Sequence, residues 1–83
     1  MDRAEVISKL KTVISDELGV AVDAILESSK FSELGADSLD ILEIIMAIED
    51  KFQIEASDEE ASKVTTLREA CDLILKKISS RKA

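Results

Sequence analysis

Apolar residues in this chain return every three or four positions and almost never every two. Val6, Ile7, Leu10, Val13, Ile14 and Leu18 share one face of a helix, as do Leu67, Ala70, Cys71, Ile74 and Ile78. No run of strict apolar–polar alternation occurs, and no Asn-Gly or Asp-Gly pair marks a hairpin. With no proline and only two glycines, Gly19 and Gly35, little interrupts a helical backbone. The pattern predicts an all-α fold. At 83 residues and 46% hydrophobic, the chain forms one domain over 1–83 with a modest core and no deep cavity. Phe31 and Phe52 are its only aromatics, so aliphatic side chains fill that core.

Capping signals divide the chain. Asp2, with Glu5 three residues on, opens a first helix from about Arg3 to Leu18, and Gly19 suits the left-handed residue that ends it. Residues 20–36 form a long connection with apolar anchors at Val20, Val22, Ile25, Leu26, Phe31 and Leu34. A short helical turn is expected near Asp23–Glu27. Asp37 caps a second helix from about Ser38 to Phe52. Ser57-Asp58-Glu59-Glu60 reads as a capping box for a short helix near Ser57–Ser62, and Thr66 with Glu69 repeats the device for the last helix. Lys76, Lys77, Arg81 and Lys82 complement that helix's dipole. The result is a small irregular four-helix bundle: three main helices and one short one.

Charge is unevenly spread. Residues 33–60 carry ten acids against the single base Lys51, a net −9 where the whole chain is −7. Such a segment repels phosphates, which argues against nucleic acid, and suits a docking face for basic partners or simply a solubilising surface. Asp58-Glu59-Glu60 lacks the alternating ligands and central glycine of a calcium loop, and no metal site is expected. The lone Cys71 lies on the apolar stripe and reads as a small core residue. No apolar run is long enough to span a membrane, and Met1-Asp2-Arg3-Ala4-Glu5 does not read as a signal peptide, so a cytoplasmic protein is expected.

With Ile41 at zero on a helical wheel, Ile44, Ile48, Phe52, Ile45 and Leu42 gather within about 160° and form the expected core face. Leu39 and Met46 fall on the opposite side with Asp40, Glu43, Ala47 and Asp50. Apolar residues among carboxylates make a plausible docking surface, since methionine adapts to different partners and acids steer basic ones. Scattered exposed apolar residues are also ordinary. Glu49 falls near the apolar arc, where the wheel does not explain it.

Ser38 stands at the start of that helix. A serine there is usually a cap, but Asp37 is better placed for that role, and Gly35-Ala36 leave the approach uncrowded. The chain has no histidine, so no Ser-His pair can activate the hydroxyl. An attachment point fits better than a catalytic nucleophile.

Gly35-Ala36-Asp37-Ser38-Leu39-Asp40 closely resembles the signature of the acyl carrier proteins of type II fatty-acid synthesis, Asp-Ser-Leu at the start of the second helix. The match continues through Glu43, Met46-Ala47, Glu49, Phe52, Asp58-Glu59-Glu60-Ala61 and Thr65-Thr66. The resemblance implies that a phosphopantetheinyl transferase, with bound magnesium, esterifies Ser38 with 4′-phosphopantetheine from coenzyme A. The arm's thiol would carry acyl chains as thioesters for fatty-acid biosynthesis, in a non-catalytic monomer. Asp37, Leu39, Asp40, Glu43, Met46, Ala47, Glu49 and Asp50 match positions that meet basic patches on ketosynthases, acyltransferases and other partners. Leu42, Ile45, Ile48 and Ala61 are the implied shelter for the acyl chain. A specialised carrier for polyketide, unusual-lipid or other secondary-metabolite synthesis is the alternative, and a non-carrier acidic helical adaptor is the reading from another class. The chain departs from the family where Ala56-Ser57 replaces a common Ile-Pro, where Ile54 replaces a usually polar residue, and where Phe31–Gly35 runs one residue short. Altered packing beneath the third helix, and a looser approach to it, are the expectations.

Overall fold

The structure, a computed structural model, describes residues 2–81; the expectations for Met1 and Lys82 lie outside the described residues. Helix α1 spans Arg3–Leu18, α2 Ser38–Phe52, α3 Asp58–Ser62 and α4 Leu67–Arg81. No strand forms among the described residues; an isolated antiparallel bridge joins Lys30 and Thr66.

The helix ends fall where capping chemistry puts them. The Asp2 carboxylate accepts the Glu5 N–H at 2.9 Å, and Gly19 closes α1 at φ 69°, a left-handed conformation that costs glycine little. Around α4, one Glu69 oxygen accepts the Thr65 hydroxyl at 2.6 Å and the Thr65 and Thr66 N–H groups at 2.9 and 3.0 Å. Those bonds, the Thr65 hydroxyl first, hold the Glu69 carboxyl below its usual range.

Helix α1 packs against both α2 and α4. Val6, Leu10 and Ile14 of α1 meet Ile44 and Ile48 of α2 and Leu67, Ile74 and Ile78 of α4 in one core. Cys71 is fully buried there, and desolvation raises its thiol pKa, so it stays a neutral thiol. The Arg3 guanidinium fastens the rim, donating to Asp72 Oδ1 at 2.8 Å and Glu27 Oε1 at 2.7 Å.

The long connection departs from its expectation. It carries two short 3-10 turns, Val22–Ala24 and Phe31–Leu34, rather than one. Ile25 and Phe31 are buried, but Val22 is 43% and Leu26 60% exposed, so neither anchors it. Backbone bonds supply the missing hold. Phe31 N–H donates to Thr65 O at 3.0 Å and Arg68 N–H to Glu27 O at 2.9 Å, stitching the link to the α3–α4 junction.

The core face of α2 is narrower than the wheel predicts. Ile44, Ile48 and Phe52 are buried and Ile41 and Ile45 partly so, while Leu42 is 54% exposed. Leu42 lies at the rim of the arc, about 100° from Ile41 and farther from the buried centre. The neighbouring helices do not reach it.

The approach to α3 is held differently from the expected loosening. The Ser57 N–H, which a proline would lack, donates to Glu60 Oε1 at 3.0 Å, and the Ser57 hydroxyl accepts the Glu60 N–H at 3.1 Å. Lys77 Nζ then binds Glu60 Oε1 at 2.8 Å, tying α3 to α4. That ammonium, more than the Ser57 bonds, pulls the Glu60 carboxyl down to about 2.

Candidate functional site

Gly35 ends the turn before α2 at φ 96°, and Ala36 is pinned behind it, its N–H on Phe31 O at 3.0 Å and its side chain buried. The chain therefore meets α2 at a set angle. Asp37 Oδ1 accepts the Asp40 N–H at 2.9 Å, and Asp40 Oδ2 accepts the Asp37 N–H at 3.2 Å. With capping discharged by Asp37, the exposed Ser38 hydroxyl makes no hydrogen bond among the described residues. The Ser38 and Leu39 N–H groups, in the first turn, have no partner within the helix. A phosphate ester on Ser38 fits this end, where helix amides favour an anion. Asp37 and Asp40 oppose its charge, so they favour an arm that points outward.

Beyond Ser38, α2 shows solvent a stripe at helical spacing: Leu39 62%, Leu42 54% and Met46 58% exposed. Asp40, Glu43 and Asp50 flank it, whereas Ala47 is half-buried against the core. The sequence-predicted docking residues Asp37, Leu39, Asp40, Glu43, Met46 and Asp50 thus share one face. Leu42, which the resemblance implies for the acyl shelter, is exposed on this face with them. Glu17 of α1 joins as well: desolvation first, then a hydrogen bond with Glu43 and the charges of Glu43, Asp40 and Asp16, raise its carboxyl pKa. Sequence reasoning missed Glu17 because nothing in a helical wheel of α2 reports a carboxylate on α1.

Glu49 lies at the edge of this face, lining an open groove with Met46 and Asp50. Its Oε2 accepts the Ala56 N–H at 2.9 Å, bracing the link between α2 and α3. Beneath that link lies an apolar cavity of ≈ 10 Å³, lined by Ile45, Ile48, Ile54, Ala56, Val64, Ala70 and Leu73 with Glu49 at its edge. That volume is about what one water needs. Of the four shelter candidates, Ile45 and Ile48 line the cavity; Leu42 faces solvent, and the half-buried Ala61 is not in the lining. Ile54, Ala56 and Leu73 come from segments brought together only by the fold.

A short helical bundle presenting an unbonded serine at a capped, acidic helix start defines a carrier domain, and comparison with known proteins agrees. The family model described as "Phosphopantetheine attachment site" matches residues 8–74. An acyl carrier protein of Cyanidium caldarium is 40% identical over 95% of this chain and 93% of its own length. The chloroplastic acyl carrier protein 4 of Arabidopsis thaliana is 47% identical over 87% of this chain, which spans 53% of that protein's length. Among solved structures, the acyl carrier protein of Thermotoga maritima superposes with a TM-score of 0.84 at 32% identity, covering 96% of this chain and 94% of that one. The chain belongs to the acyl carrier protein family, whose members bear a covalently attached 4′-phosphopantetheine. Among the described residues, no helix is long and apolar enough to cross a membrane.

Proposed function

We propose that Ser38 is the attachment point of the arm and that the chain carries acyl groups as thioesters between enzymes of fatty-acid biosynthesis. The observation that carries this is the free, outward Ser38 hydroxyl on a helix whose cap is already supplied by Asp37. In the transferase, the Ser38 oxygen forms a new bond to the pantetheine-side phosphorus of coenzyme A. The pyrophosphate bond breaks, the adenosine bisphosphate leaves, and the serine proton is lost to the transferase. Once attached, the arm supplies the thiol that holds the acyl chain.

Leu39, Leu42 and Met46 form the apolar centre of the partner surface, and Asp37, Asp40, Glu43 and Asp50 its acidic border, suited to basic patches on the transferase, ketosynthases and acyltransferases. Ala47 supports this surface from beneath, packed against the core, and Glu49 stands at its edge with one carboxylate oxygen bonded to the Ala56 N–H. The cavity by Ile45 and Ile48 is the place from which an acyl shelter opens. The proposed protein acts as a non-catalytic monomer, in the cytoplasm or, as for the Arabidopsis relative, in a chloroplast.

The test is intact-mass spectrometry after incubation with coenzyme A, magnesium and a broad-specificity phosphopantetheinyl transferase. A gain of one phosphopantetheine in the parent chain, and none in Ser38→Ala, is expected. A folded parent chain that gains no mass would refute the assignment.

A further inference from the structure

The turn that delivers Ser38 is bonded mostly to itself. Across residues 30–35, the Glu33 and Leu34 N–H groups donate to Lys30 O and the Gly35 N–H to Ser32 O, and the Ala36 N–H returns to Phe31 O at 3.0 Å. Phe31 and Ala36 are buried, but burial is non-directional and sets the depth of the turn better than its tilt. Direction comes from Phe31, whose N–H reaches across the fold to Thr65 O at 3.0 Å. Asp37 and Ser38 follow directly on Ala36, so the tilt of this turn decides where the Ser38 hydroxyl points.

Thr65 O is itself constrained. It belongs to the same planar peptide as the Thr66 N–H, so whatever holds one pole orients the other. Glu69 Oε1 accepts that Thr66 N–H at 3.0 Å and, on the other side of Thr65, its N–H at 2.9 Å and its hydroxyl at 2.6 Å. Bonds to a carboxylate are the stronger, charge-assisted kind, and an N–H polarised in this way makes its carbonyl a better acceptor. Capping does not demand all of this. The Thr66 hydroxyl caps α4 by accepting the Glu69 N–H at 3.2 Å, which needs no Glu69 side chain, and the reach back to Thr65 goes beyond a capping box.

We propose that Glu69 is a positioning residue for the modification of Ser38: through the Thr65–Thr66 peptide and Phe31 it fixes the turn that presents the hydroxyl. This purpose rests on the carrier reading above. Arg68 N–H to Glu27 O at 2.9 Å and Leu67 N–H to Ser29 O at 3.3 Å hold the link upstream of the turn without the Glu69 side chain. Losing that side chain therefore loosens the turn and leaves the link docked.

The test pairs NMR amide exchange on the full chain with the kinetics of phosphopantetheine transfer. A parent chain that gains no mass refutes the Ser38 reading, and this purpose with it, before any variant is measured. In Glu69→Ala, exchange at Phe31 and Ala36 should quicken about tenfold, as loss of a hydrogen bond implies, while the Arg68 amide stays protected. The kcat of transfer should fall about tenfold, within what misplacing a reacting group costs. KM should stay unchanged, because the surface that meets the transferase is intact. Glu69→Gln, which keeps an acceptor oxygen, should restore most of the kcat. Asp2→Ala removes a cap from α1, away from this path, and should keep the parent's kcat. Three results would overturn the proposal and leave the Ser38 assignment standing: parent-like exchange at Phe31 and Ala36 in Glu69→Ala, an unchanged kcat there, or an equal loss of kcat in Asp2→Ala.

Discussion

Ser38 and Ser57 both stand at helix starts and do opposite things. Ser57 spends its hydroxyl on the Glu60 N–H, whereas Asp37 takes that duty for α2 and leaves the Ser38 hydroxyl unbonded. Removing the cap with Asp37→Ala should cost about 1 kcal/mol and lower the Tm in thermal unfolding. An unchanged Tm would mean that Ser38 can take over as cap and is not free for attachment. The carboxylates divide in the same way. Glu60, held at about 2 against an ordinary 4.5, contributes stability that is present above pH 4.5 and lost as pH falls toward 2. Glu69, also lowered, acts in the same direction. Glu17 is raised, so its charge opposes folding near neutral pH. Glu17→Gln should therefore raise the Tm at pH 7, with the gain vanishing in acid, where the parent's Glu17 is protonated too. Scanning calorimetry of both chains across pH checks the sign, and a gain that persists in acid would show that its charge is not the cause.

The helices were legible because their ends are written in local chemistry. Asp2, Gly19, Asp37, Ser57 and Thr66 each act on groups within four residues, and the observed bounds of α1 and α2 follow from them. What was not legible depends on partners far along the chain. Periodicity cannot show that the link before α2 is stitched to Thr65 and Arg68, which exposes Val22 and Leu26. Nor can it show that the neighbours of α2 stop short of Leu42, or that Glu49 reaches Ala56. Leu39 and Met46 are exposed as the wheel expects, Leu42 is exposed beside them, and of the four residues expected in the shelter only Ile45 and Ile48 line the cavity. One turn tests how firmly α2 is presented: a Cβ at Gly35 meets nothing within 4 Å, yet φ is 96°. Gly35→Ala should cost about 1–2 kcal/mol by backbone strain alone, seen as a lower denaturation midpoint with an unchanged m-value.

Across the whole molecule, the −9 of residues 33–60 exceeds the chain's net −7, so the rest of the chain offsets only part of it. That charge is spread along α2 and into α3, and at the start of α2 the charges of Glu43 and Asp40 add to desolvation in raising the carboxyl pKa of Glu17. Screening should stabilise the fold: about 1 M salt shortens the Debye length to roughly 3 Å, and the Tm should rise, with divalent cations acting at lower concentration. A Tm flat in both series would show that repulsion does not limit stability. The buried Cys71 has a separate bearing on how such a chain can be handled. It is the sole cysteine, it is sealed in the core, and burial keeps it protonated. The native fold therefore presents no sulfur nucleophile of its own to intercept a neighbouring thioester. A maleimide or disulfide reagent applied to the folded, arm-bearing protein would report on the prosthetic thiol alone, counting loaded against unloaded molecules without any engineered label.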